Sequence, residues 1–481
     1  MFLKGFFTNS SGILTSRILG FFRDLLTANT LGAGIYSDMF FVAFKLPNLF
    51  RRIFGEGAFN QSFLPGFFKA RFRGGFALKI GSIFCIILLF LSLFVFFFSE
   101  SITKLLAFGF SKELITLTAP LVAINFWYLL LIFIVTLFGA MLQYKRNFTA
   151  WAYSPALLNI IMIVALLLAQ NSEAYEAVLI LSYGVLAGGV AQILLHLFPM
   201  YRLGFLKLLF CGFKELQDST NSTHIKARKN NINRSVKKFF KQFFPAMLGS
   251  STAQISSFID TLLASFLASG AISYLYYANR IFQLPLAIFA IATSTALFPI
   301  VAKYIKESKE QEAINALAKS FWLLLILLSI CTLGGILLKN EIIWLLFERG
   351  KFMREDTLIC ANVFGAYLIG LIPFGLSRVF SLWLYSKNKQ ALAAKISAFS
   401  LIFGTISSLI LMQFFGVVGL AFAGSISGFI VFFLTLHYFS WKIFFKILWN
   451  PRLIALTCGV LFLESIILLE FKTNIFNLQT L

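Results

Sequence analysis

Apolar intervals of about bilayer-spanning length alternate along this chain with short polar ones. A spanning helix takes about 20 predominantly apolar residues. Runs of that kind predict helices over 5–28, 36–61, 78–99, 114–143, 149–170, 176–201, 239–268, 272–302, 316–338, 357–385, 391–413, 416–440 and 452–471. The fold class expected from these thirteen runs is an all-α polytopic membrane protein. Six spans lie on each side of the longest polar interval, so the expected organisation is an N-terminal six-helix lobe over 1–203, a basic cytoplasmic linker over 204–238, a C-terminal six-helix lobe over 239–443, and a thirteenth helix with a short tail over 444–481. Because six is even, both bundles enter the membrane in the same direction, and a pseudo-two-fold axis along the membrane normal relates them, as in transporters built from parallel repeats.

The two halves share short echoes in the same order. Asp24 precedes Gly34 by ten residues, as Asp260 precedes Gly270, and Lys45-Leu46-Pro47 is echoed by Gln283-Leu284-Pro285 once two residues are inserted.

Charge then orients the spans. Lys and Arg concentrate around 69–79, 145–146, 202–241, 303–319, 387–395 and 442–452, while the intervening loops carry few cations. Cytoplasmic loops carry such an excess, which puts the N-terminus in the cytoplasm and the C-terminus in the periplasm. The interval 339–356 departs mildly, with four cations balanced by four acids. The interval 202–241 holds ten Lys/Arg against two acids and reads as a mobile linker near anionic headgroups. Residues 1–12 contain one Lys and no small-residue cleavage pattern, and so read as the start of the first span rather than a removed signal.

Composition excludes several functions. With 59% hydrophobic and 12% charged residues the chain is far from a soluble domain. The net charge of +22 is spread over inter-span loops rather than over a folded soluble surface, so no nucleic-acid partner is expected. The five cysteines lack metal or disulfide spacing, the three histidines lie in unrelated segments, and no phosphate-binding glycine loop is present. No catalytic constellation, metal site or cofactor is therefore expected. A transporter of this kind draws its energy from the membrane potential, a monovalent cation or the substrate's own gradient, with no ion site assigned.

The informative residues are charges placed where lipid should be. The first two helices carry Arg17, Arg23, Asp24, Asp38, Lys45, Arg51, Arg52 and Glu56. Facing all eight to lipid would cost on the order of 20 kcal/mol, more than the whole stability of a typical protein. They must face protein or water. Arg17 and Asp24 are seven apart, as are Asp38, Lys45 and Arg52, which gives each helix one polar face. The second half adds Asp260, Arg280 and Arg378. A net-cationic, water-filled cavity suits a phosphate or pyrophosphate, whose oxygens Arg binds bidentately. A structural role stays open for several of these groups: Arg23 and Asp24 as a helix-positioning pair, Lys45, Arg52 and Arg378 as snorkelling side chains, and Asp260 as counter-ion, cation site or packing residue.

The wording of the first two helices is specific. Ser16-Arg17-Ile18-Leu19-Gly20-Phe21-Phe22-Arg23-Asp24 is followed by Asp38-Met39-Phe40-Phe41-Val42-Ala43-Phe44-Lys45-Leu46-Pro47-Asn48-Leu49-Phe50-Arg51-Arg52-Ile53-Phe54-Gly55-Glu56-Gly57. With Pro245-Ala246-Met247-Leu248-Gly249, Tyr276-Tyr277-Ala278-Asn279-Arg280 and Leu346-Phe347-Glu348-Arg349-Gly350, this closely resembles the MurJ (MviN) family of lipid II flippases over about residues 5–440. The resemblance implies the multidrug/oligosaccharidyl-lipid/polysaccharide exporter superfamily, a V-shaped central cavity between two lobes, and a bacterial inner-membrane location. It also implies lipid II as substrate, other cell-wall synthesis and division proteins as candidate partners, and membrane lipids around the last two helices. The family's cavity arginines correspond to Arg17, Arg23, Arg51 and Arg280, and its helix 2 acid to Asp38. Two departures stand out. Only 470–481 follow the thirteenth helix, too few for a fourteenth, and 386–390 reads Ser-Lys-Asn-Lys-Gln where Asp-x-Lys-Thr-Pro is common. Rival readings are an exporter of another polyprenyl-linked glycan of O-antigen type, a cation-coupled multidrug exporter, and a scaffold for cell-wall enzymes.

Overall fold

The computed structural model describes residues 2–55, 58–217 and 223–479, and among them the regular structure is helical, with no strand. Two compact units are distinguished, Met1–Phe266 and Leu267–Leu481. Among the described residues nine helices are long and apolar enough to cross a membrane.

The first unit contains α1 (Phe2–Leu31), α2 (Ile35–Ala43), α3 (Lys45–Gly55), α4 (Ala58–Lys69), α5 (Arg73–Phe97), α6 (Ser99–Leu106), α7 (Lys112–Phe126), α8 (Tyr128–Tyr144), α9 (Thr149–Leu168), α10 (Ala174–Arg202), α11 (Phe205–Gln217) and α12 (Thr223–Ala264). The expected helix over 36–61 is thus divided among α2, α3 and the start of α4. A proline ring clashes with the carbonyl four residues back and lacks a donor. Accordingly α2 ends at Ala43, four residues before Pro47, and the chain restarts as α3 at Lys45.

Phenylalanine forms the heart of this unit. Phe59 and Phe63 of α4 stack at 5.2 Å, Phe84 of α5 and Phe133 of α8 stack at 4.9 Å, and Phe239 and Phe243 of α12 meet Phe59 edge-on. Such ring pairs add about 0.5–1.5 kcal/mol each beyond their burial. In lipid, where apolar transfer drives little helix association, this interlocking is what holds helices together. Other phenylalanines, such as Phe90, Phe97 and Phe198, are exposed on outer faces.

The linker expected to be mobile is helical where it is described, and it is docked. Gly74 of α5 and Gly212 of α11 approach so closely that a Cβ on Gly212 would stand 2.3 Å from the Gly74 carbonyl carbon. The Gly75 amide donates to Glu215 at 3.2 Å, Lys79 of α5 donates to Asn233 of α12, and the Arg228 guanidinium covers the Phe72 ring at 5.2 Å. The polar composition that signalled a loop instead supplies the outer faces of α11 and of the first half of α12. Gly212→Leu is expected to separate α11 from α5 at a cost of about 1–3 kcal/mol. Limited proteolysis of 205–217 in membrane vesicles, faster in the variant than in the wild type, checks it.

The second unit contains α13 (Ala271–Pro285), a π-helical turn (Leu286–Ile291), α14 (Ala292–Lys306), α15 (Glu310–Leu337), α16 (Lys339–Phe347), α17 (Arg354–Ile369), α18 (Leu371–Ser386), α19 (Gln390–Phe439), α20 (Trp441–Leu448) and α21 (Pro451–Gln479). The proline rule recurs: α17 ends at Ile369, four residues before Pro373. The long α19 is a hairpin, reversed at Gly416, whose φ of 54° and ψ of −131° suit a residue without a Cβ. Its arms face one another, with Ser400 donating to the Ser427 carbonyl at 2.9 Å. The arms correspond to the separate helices expected over 391–413 and 416–440.

The sequence echo has a structural counterpart inside each unit. Gly34 caps the N-terminus of α2, and Gly270, at φ 89°, caps that of α13. Each following helix loses its regularity near the echoed proline, α2 by breaking before Pro47 and α13 by passing into the π-helical turn after Pro285.

Candidate functional site

Arg23, Asp24, Lys45, Arg51 and Arg52 fall at two places in the first unit. The first is buried between α1 and α9. Arg23 is 8% exposed and Asp24 1%. The Arg23 guanidinium donates to Asp24 Oδ1 from Nη2 at 2.6 Å and from Nε at 3.1 Å, and to Asn159 Oδ1 from Nη1 at 3.0 Å. Asn159 in turn donates to the Ser16 carbonyl at 3.0 Å. Gly20 lets Asn159 lie against α1, with its amide nitrogen 3.3 Å from where a Cβ would be. Arg23 and Asp24 therefore have the surroundings of a helix-positioning pair.

Beside this pair stands Tyr128 on α8, fully buried, whose hydroxyl donates to Gln192 Oε1 of α10 at 3.1 Å. Gln192 is anchored by its own donation to the Ser154 carbonyl at 2.8 Å. Arg51 of α3 and Arg23 both lie within electrostatic range of the Tyr128 hydroxyl. Arg51 is half-buried and is steadied by Asn48 Oδ1, which accepts from its Nε at 3.3 Å and its Nη2 at 3.2 Å. Neither Tyr128 nor Gln192 was signalled by the sequence, because a lone polar residue in a long apolar helix has no pattern of its own.

The second place lies between α3 and α12. Lys45 Nζ donates to Ser257 Oγ at 2.9 Å, and Asp260 and Arg52 both act on Lys45 electrostatically. Lys45 thus lies across from Ser257 and Asp260, with Arg52 within electrostatic range of it. Asp38, 3% exposed, lies in the first turn of α2, where the helix dipole favours a negative charge.

The remaining candidates are placed differently. Arg17 is exposed, although it lies seven residues before the buried Asp24. The face of α1 that carries Arg17 is open there, with Ile13, Leu14 and Ile18 exposed around it, while Gly12 and Gly20 pack against α9 on the other side. Arg280, half-buried on α13 of the second unit, stands over the Tyr276 ring at 5.5 Å. Arg378 on α18 is exposed. Glu56 lies outside the described residues.

Comparison with known proteins gives the family. The family model for the lipid II flippase MurJ matches residues 27–478. The chain belongs to the MurJ family. A Helicobacter pylori protein described as a probable lipid II flippase MurJ is 53% identical over 453 residues, covering 94% of this chain and 98% of its own length. A solved MurJ lipid II flippase in an inward closed conformation superposes with a TM-score of 0.75 at 25% identity, over 98% of this chain and 99% of that one. An inward-facing multidrug resistance MATE transporter of the MOP superfamily shares the fold alone, at 13% identity and a TM-score of 0.67, over 89% of this chain and 94% of that one. MurJ membership makes the protein a multi-pass transporter rather than an enzyme.

Proposed function

We propose that this protein moves lipid II, the polyprenyl-diphosphate-linked precursor of peptidoglycan, from the cytoplasmic to the periplasmic leaflet of the bacterial inner membrane. Its place in the MurJ family and its relatives' names support that substrate. The observation that carries the chemistry is the placing of Arg51 beside the buried Arg23–Asp24 pair, and of Lys45 with Arg52 near Asp260, all within the first unit. Arg23 and Asp24 largely satisfy one another, so the diphosphate falls to Arg51, with Arg17, Lys45 and Arg52 completing the cationic set of the first unit.

Transport by alternating access requires this set to hold the diphosphate more tightly when the cavity faces the cytoplasm than when it faces outward, since a ligand shifts a conformational equilibrium only by its differential affinity. The membrane potential, negative inside, favours the outward step by about 2.3 kcal/mol per negative charge per 100 mV. In this reading that potential drives the step without a cofactor; a monovalent cation gradient is the alternative source. The orientation that serves this cycle has the N-terminus in the cytoplasm and the C-terminus in the periplasm.

The test is complementation. In bacteria depleted of their own flippase, expression of this chain is expected to restore periplasmically exposed lipid II. Full membrane expression with no recovery, together with recovery of a different polyprenyl-linked glycan, would assign the protein to that glycan instead.

A further inference from the structure

A second cationic site lies in the C-terminal unit, away from the residues discussed so far. The turn that follows α14 and the turn between α18 and α19 face each other across a cavity of about 680 Å³. Lys306, Lys387 and Lys389 line it together with Glu310 and Ser386, and Ile305 contributes an apolar wall. Three cations stand against one acid.

These groups differ in how far they are already satisfied. Lys387 is held, paired with Glu310 at 2.8 Å and seated over the Trp383 ring at 4.2 Å. Nearby Glu307 is occupied by Lys309 at 2.9 Å, and that hydrogen bond holds its carboxyl below the usual range. It is therefore not available to offset the cavity. Lys306 and Lys389 are exposed and have no partner among the described residues. The Ser386 hydroxyl oxygen is buried against the cavity wall, also without a partner. A buried hydroxyl left unmatched costs free energy that an incoming acceptor would recover.

Position narrows the ligand. Tyr385 is exposed beside the cavity, and Tyr304 lies on the neighbouring helix, as aromatic residues do at a membrane–water boundary. One turn further into α14, Phe298 and Ile300 are exposed as a lipid-facing surface would be. The cavity thus opens at headgroup depth, and the density of lysines in both turns puts it on the cytoplasmic side, where anionic lipids collect. We propose that this cavity binds a phosphate-bearing group, and that its source is the headgroup of an anionic phospholipid. In this arrangement Lys306 and Lys389 contact the phosphate oxygens, Ser386 donates to one of them, Lys387 supplies a fixed charge behind, and the acyl chains leave along the apolar face of α14.

The full-length chain in neutral detergent is titrated with short-chain phosphatidylglycerol, with short-chain phosphatidylcholine and with sodium phosphate, and its unfolding temperature is followed. Phosphatidylglycerol alone is expected to raise that temperature saturably. Lys306→Gln with Lys389→Gln is expected to weaken the effect at least tenfold, with recovery in the corresponding double arginine variant. Lys442→Gln with Lys446→Gln, which removes two exposed lysines of α20 outside the cavity, is expected to leave it unchanged. An equal saturable shift with sodium phosphate would keep the anion site and overturn its assignment to lipid. The absence of a saturable shift with any anion, or equal weakening in both glutamine pairs, would overturn the site itself.

Discussion

Replacing Arg51 with alanine is expected to lower lipid II translocation by about ten- to a hundredfold at unchanged membrane abundance. Hydrogen bonds to a charged group contribute about 1.5–3 kcal/mol, and each 1.4 kcal/mol is a factor of ten. The structure gives Arg51 this weight because Asn48 steadies its guanidinium on the same helix, so little side-chain freedom is lost on binding. Arg51→Lys is expected to fall between wild type and alanine, since an ammonium keeps the charge but loses the planar fork. The measurement is the amount of periplasmically exposed lipid II in complemented cells. Wild-type levels with the alanine variant would remove Arg51 from the substrate site.

The second large effect concerns stability rather than transport. Asp24→Ala is expected to destabilise the chain by about 3–5 kcal/mol, because it leaves Arg23 buried without its carboxylate. The geometry is unforgiving: two of the three guanidinium nitrogens of Arg23 converge on one oxygen of Asp24, and the third donates to Asn159. Replacing both partners, as Arg23→Met with Asp24→Leu, is expected to recover much of the loss, since apolar replacement of a whole buried pair is often neutral or better. The unfolding temperature in detergent checks both variants. An equal loss in the single and the double would mean that the pair is not what Asp24 contributes.

These two residues also show what could be read from the chain beforehand. Hydrophobic run length located the helices, because lipid imposes a length on any crossing segment, and the helices over 149–168 and 451–479 begin within a few residues of expectation. The breaks before Pro47 and Pro373 follow local rules that act over four residues and were in principle legible. Arg51 and Asp38 stood out because charge within an apolar run is costly. Burial was less accessible. Arg17 and Asp24 share a helical face by spacing, yet only Asp24 is enclosed, since enclosure is decided by where α1 meets its neighbours. The same limit hid Tyr128 and Gln192, and it made a docked pair of helices at 205–217 and from 223 onward look like a loose linker. Gly74 and Gly212 each read as an ordinary helix glycine until they are found against one another.

The π-helical turn at Leu286–Ile291 gives the second unit a form of rotary slack. A hydrogen bond from residue i to i+5 accommodates one more residue than an α-turn does, and each residue of an α-helix advances by about 100°. Deleting one residue from this stretch would therefore let α13 and α14 join as an uninterrupted α-helix with α14 close to its present heading, because the π-helical turn already takes up the extra residue locally. An α-helix that kept the residue would instead turn α14 by about a quarter of a revolution. The face carrying Lys306 holds its setting relative to the face carrying Arg280 because one wide turn stores a surplus residue.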